Sequence, residues 1–129
     1  MTVLITEAIN SAGRVTFESP GAEVQKSREL VEQAIASLKD SPGDRRVTVL
    51  GFLSKGLGMI EEIQGLGLEF NTKMKEWDKL DQNPASTDKQ FETVETEIRT
   101  VKEKVKEKAD ALAILQQKTV EFKKKNNIV

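Results

Sequence analysis

The stretch 47–80 constrains the fold most, because it is the most apolar part of the chain and holds five of the eight glycines. Gly51, Gly58 and Gly65 are seven residues apart, and the single Trp, Trp77, lies near the end of the stretch. Its apolar positions recur at steps of three and four residues, the period of one helix face. They are Leu50, Leu53, Leu57, Ile60, Ile63, Gly67, Phe70, Met74 and Trp77. The sequence therefore predicts one long helix over about residues 42–81.

Three further helices are predicted, over about residues 3–12, 20–39 and 88–125. The last has the clearest heptad pattern, whereas the helix over 20–39 has a shorter buried stripe. The heptad positions are Phe91, Val94, Ile98, Val101, Val105, Leu112, Leu115 and Phe122, and the stripe is Val24, Val31, Ala34, Ile35 and Leu38. The first segment has an alternative, a hairpin that pairs residues 3–5 with 15–17, since both ends are β-branched. We favour the helix.

The predicted helix starts rest on residue types that satisfy free backbone N–H groups. Ser19 before a proline predicts an N-cap at Ser19, with the proline at the first helical position. Ser41-Pro42 repeats this signal, and Asp44 completes a capping box. Thr87 with a Gln three residues later predicts another capping box.

Together these helices predict an all-α fold. Two long helices joined by a short loop should lie antiparallel, as a coiled-coil-like hairpin. The shorter helices would cover part of it, which gives an elongated three- to four-helix bundle. A chain of 129 residues is expected to form a single domain, residues 1–129.

The composition removes most catalytic and metal-binding chemistry. The chain has no Cys, no His and no Tyr, so thiolate nucleophiles, imidazole bases and the commonest metal ligands are absent. No phosphate-binding loop, EF-hand or nucleophile elbow is present. We therefore predict no catalytic residue, no metal, no cofactor and no small-molecule substrate. A net charge of −1 also argues against nucleic acid as a partner.

The glycines of the long helix need an explanation, because each costs about 0.5–1 kcal/mol relative to Ala inside a helix. Gly51, Gly58 and Gly65 lie on one line, where they would let another backbone come close, so that packing offsets the cost. On this interpretation the glycine face is covered by protein. Alanine at Gly58 and Gly65 would then overpack the bundle and lower its stability.

A second interpretation makes the same stretch membrane-active. In composition, GFLSKGLGMIEEIQGLGLEF resembles the membrane-inserting peptides of fusion proteins. Four charged side chains within it (Lys55, Glu61, Glu62 and Glu69) exclude a simple span but permit a helix that lies in the membrane interface. Basic residues at the end of the last helix would meet an anionic lipid surface. They are Lys118, Lys123, Lys124 and Lys125.

The favoured function is a noncatalytic assembly or protein-interaction module that acts by coiled-coil or helix-in-groove packing, on a protein partner or by self-association. The alternative is a pore-forming or membrane-disrupting protein that uses residues 47–70. The candidate contact residues are Gly51, Phe52, Gly58, Met59, Gly65, Leu66, Phe70, Trp77, Lys123, Lys124 and Lys125. With no secretory signal and no transmembrane span, we expect a soluble protein, cytoplasmic by default.

Overall fold

A computed structural model describes residues 2–128, which form four α-helices and no strand. They are α1 (Thr2–Arg14), α2 (Gly21–Ser37), α3 (Arg46–Gln82) and α4 (Asp88–Lys125). The predicted all-α bundle with a long hairpin, made by α3 and α4, is confirmed. The first segment is a helix and not a hairpin.

Two of the predicted helix starts are wrong in detail. The N-cap of α2 is Pro20, and Ser19 instead accepts a hydrogen bond at Oγ from the backbone N–H of Thr16 (2.9 Å). The Ser hydroxyl is therefore used in the preceding turn. The start of α3 is also later than predicted, because the Asp44 N–H donates to the Ser41 carbonyl (3.0 Å) in a turn.

Asp44 nevertheless caps the N-terminus of α3 with its side chain. Its Oδ1 accepts the backbone N–H of Arg46 (2.9 Å), and its Oδ2 accepts a second bond from the Arg46 guanidinium (2.6 Å). At α4 the predicted capping box is confirmed. There the Thr87 N–H donates to Gln90 Oε1 (2.8 Å), and the Gln90 N–H donates to Thr87 Oγ1 (3.3 Å).

The Asp44 cap gives a prediction about acid stability. The hydrogen bond from the Arg46 guanidinium, with that from its backbone N–H, holds the pKa of Asp44 below its ordinary value of 3.8. We expect Asp44→Ala to lower the free energy of unfolding by about 1 kcal/mol at neutral pH, as loss of a helix cap does. Because the folded-state pKa is lowered, this stabilisation is complete above 3.8 and is lost as pH falls through the folded value.

Urea unfolding of the native chain and Asp44→Ala between neutral pH and pH ~2 measures this effect. The stability difference between the two should shrink in acid. Asp40→Ala is the control, because Asp40 is exposed and precedes α3 in the same connection. A difference that stays constant down to the lowest pH would show that the carboxylate charge does not stabilise α3.

The chain divides into two compact units. The first unit comprises the described residues up to Glu61 and from Ala111 onward, so it contains α1, α2, the beginning of α3 and the end of α4. Its core draws on all four helices: Ile5, Ala8, Ile9, Ala12, Val24, Val31, Ala34, Val49, Leu50, Leu57, Ile60, Leu112 and Leu115 are buried. The predicted α2 stripe is thus largely confirmed. Ser27 adds a buried hydroxyl, hydrogen-bonded to that of Ser11 (2.7 Å).

The second unit, Glu62–Asp110, is an antiparallel pair made by the rest of α3 and the beginning of α4. Its buried apolar residues are few: Ile63, Val94, Ile98 and Val101. Lys108 Nζ pairs with Glu62 Oε2 (2.6 Å), and Lys73 pairs with Glu97, so two ion pairs bridge the helices. Two helices alone leave much of their shared apolar seam accessible to solvent.

Candidate functional site

The glycine line of α3 does not make the close contacts that its spacing predicts. At Gly51, Gly58 and Gly65, a Cβ atom added to the backbone would meet no atom within 4 Å, apart from chain neighbours and the helix's own adjacent backbone. Gly51 and Gly65 are exposed, and Gly58 is half-exposed. The close packing that the spacing predicts for this face within the bundle is therefore absent from residues 2–128, and its predicted contact with a partner stays a prediction.

A different glycine faces α4. A Cβ atom at Gly56 would lie 3.6 Å from Leu112 Cδ1 and 3.8 Å from Leu115 Cδ2, and Gly56 is buried. Its place could have been found from the sequence, since Gly56 lies three residues after Leu53 and four before Ile60 on the predicted seam.

The other predicted contact residues of the first unit are only partly covered. Phe52 makes an edge-to-face contact with Phe122, with ring centroids 6.0 Å apart. Met59 and Lys123 are half-buried, whereas Lys124 and Lys125 are exposed. Their predicted role in binding a partner or a membrane stays a prediction.

The predicted contact residues of the second unit with large side chains are all half-buried: Leu66, Phe70 and Trp77. The Trp77 ring contacts Phe91 edge to face (5.7 Å between centroids), and its indole N–H donates to Glu95 Oε1 (3.2 Å). The ammonium of Lys102 lies 5.7 Å from the centroid of the Phe70 ring, a cation–π contact. These aromatic side chains hold the two helices together while each keeps part of its surface accessible.

A groove of about 550 Å³ lies beside this aromatic seam, at the loop end of the second unit. We call it the hairpin groove. It is lined by Glu76, Lys79, Leu80, Thr87, Lys89, Gln90, Thr93 and Val94. Its apolar lining comes from the half-buried Leu80 and the buried Val94, and its charged side chains carry both signs.

The sequence pattern does not single out Thr93 or Gln90 as residues that line a groove. Met74, predicted on the same apolar face of the long helix as Phe70 and Trp77, is 38% exposed, so this face is only partly covered. The heptad around Val94 could have identified these groove residues, because it places Thr93 and Gln90 beside the seam.

Within residues 2–128 the carboxylates form no group of three that could hold a metal ion. None of the helices in residues 2–128 contains an apolar stretch of the length that a membrane span requires. The chain matches no protein-family model, and comparisons with curated proteins and with solved structures found no match.

Proposed function

We propose that this protein is a noncatalytic helical assembly module that self-associates by coiled-coil packing at the hairpin groove. The observation that carries the proposal is the incomplete burial of the seam in the second unit. Leu66, Phe70, Trp77 and Leu80 all keep accessible surface, although their positions follow the α4-facing period of α3. Of these four residues, Leu80 lines the hairpin groove, and the others lie on the seam that leads to it. A second pair of helices would bury this surface, as the helices of a four-helix bundle do.

The charges around the groove favour a second copy of the chain as the occupant. Glu76, Lys79 and Lys89 line the same groove, so one surface presents an anion and two cations. Under a two-fold axis each surface meets itself, and a surface with both signs can place its anion against a cation of the other copy. A partner whose surface carried charges of one sign would place a like charge against either Glu76 or the two lysines.

The test is the mass of the full chain in solution as a function of concentration, measured by sedimentation equilibrium. We expect a reversible dimer in the native chain. Leu80→Lys should weaken dimerisation by roughly tenfold or more, because an unpaired charge at a packed apolar contact costs more than about 1.4 kcal/mol.

Leu68→Lys is the matched control, because it makes the same substitution in the same helix at a leucine that is 70% exposed and does not line the groove. Dimerisation should survive this change. Far-ultraviolet circular dichroism on both variants checks that the helices persist. A native chain that stays monomeric at all concentrations, or equal losses in the two variants, would contradict the proposal.

A further inference from the structure

The first unit contains a partly enclosed cavity of about 380 Å³ that the self-association proposal does not use. Its walls come from three helices: Ile9 and Ala12 of α1, Phe52 and Gly56 of α3, and Leu112 and Leu115 of α4. The volume lies in the range of small-molecule sites, which are concave and mostly apolar.

Gly56 leaves space in the cavity beside Leu112 and Leu115, because it has no side chain. Even a methyl group there would come to 3.6 Å from Leu112 Cδ1 and 3.8 Å from Leu115 Cδ2, which is van der Waals contact. A larger side chain would therefore have to enter the cavity. The cavity thus depends on a helix-interior residue that is intrinsically unfavourable in a helix.

The polar side chains that line the cavity are Gln116, Thr119 and Lys123. Lys123 is the single charged residue that lines it within the described chain, and Lys123 is half-buried. None of the carboxylates described in the structure lies within ion-pair distance of its ammonium. Thr119, another lining residue, donates its hydroxyl proton to the Leu115 carbonyl (2.8 Å) and keeps lone pairs free. An apolar wall beside one cation suits a ligand with an apolar chain and one anionic group.

We propose that this cavity binds a free fatty acid, with the acyl chain against the apolar walls and the carboxylate at Lys123. Burial of the acyl chain supplies the non-directional part of the affinity. The pair between the ligand carboxylate and the Lys123 ammonium selects a negatively charged head group. The site shares no residue with the hairpin groove, so this proposal and self-association can fail separately.

Isothermal titration calorimetry on the full chain tests the proposal with two probes of the same chain length, dodecanoate and dodecyltrimethylammonium, each below its critical micelle concentration. We expect the native chain to bind dodecanoate at least tenfold more tightly than the cation. Lys123→Glu should reverse this order. Lys124→Glu is the matched control, since it makes the same charge change at the neighbouring, exposed position and should leave the order unchanged.

Gly56→Leu provides a second variant that tests the apolar walls. We expect it to fill the cavity and reduce the affinity for both probes at least tenfold, with thermal unfolding as the check on folding. If it fails to fold, the charge-reversal pair still decides the question.

Titration with phosphatidylglycerol vesicles separates a free fatty acid from a lipid surface. We expect no heat of binding to the vesicles. Binding to vesicles without binding to dodecanoate would overturn the proposal in favour of a membrane surface. Equal effects of Lys123→Glu and Lys124→Glu, or no binding of dodecanoate, would also overturn it.

Discussion

Alanine at Gly51, Gly58 and Gly65 together is expected to raise the free energy of unfolding by about 1.5–3 kcal/mol, at about 0.5–1 kcal/mol for each helix-interior glycine. All three lie well inside α3, and space for a Cβ atom is open at each. The substitution therefore removes the conformational freedom of glycine from the unfolded chain without creating a clash in the folded one.

Thermal unfolding at several protein concentrations measures the effect, and an increase in Tm of roughly 5–10 °C corresponds to it for a chain of this size. Lys55→Ala, an exposed substitution in the same helix, is the control and should change stability by less than about 0.5 kcal/mol. A loss of stability in the triple variant that grows with protein concentration would show that another copy of the chain packs on the glycine face.

The same triple variant also tests the membrane interpretation. If residues 47–70 insert into lipid and need the glycines for flexibility, the native chain should release dye from anionic liposomes, and the variant should not. Dye release that the substitutions leave unchanged would make the glycines incidental to membrane activity.

The helices and most of their buried faces could be predicted from the sequence, because amphipathic periodicity is a local property. In α4 the heptad identified Val94, Ile98, Val101, Leu112 and Leu115, all of which are buried. The capping box at Thr87 was equally local, since its donors and acceptors lie within one turn.

The environment of Gly51, Gly58 and Gly65 could not be predicted from their spacing. The seven-residue spacing places Gly51, Gly58 and Gly65 on one line but does not say which side of α3 the other helices occupy. Gly56 meets α4 because it shares the period of Leu53 and Ile60. The cavity and the hairpin groove could not be predicted from the sequence either. Their walls combine residues from separate helices, and their volumes depend on how those helices pack.

Leu50→Ala is expected to cause a large loss of stability, about 2–5 kcal/mol in the free energy of unfolding. Leu50 is completely buried in the first unit, where side chains of α1, α2, α3 and α4 contribute to the core. Removing its isobutyl group loses the transfer free energy of the deleted atoms and leaves a void that close-packed neighbours fill only in part.

The matched control for this change is Leu68→Ala, which makes the same deletion in the same helix at a side chain that is 70% exposed. It should alter stability by less than about 0.5 kcal/mol, since its atoms are already largely in water. Urea unfolding of both variants measures the contrast. Equal effects would mean either that the core at Leu50 is loosely packed or that Leu68 is covered in solution. A stability loss of the Leu68 variant, relative to the native chain, that grows with protein concentration would identify the second cause, because covering by another copy of the chain follows mass action.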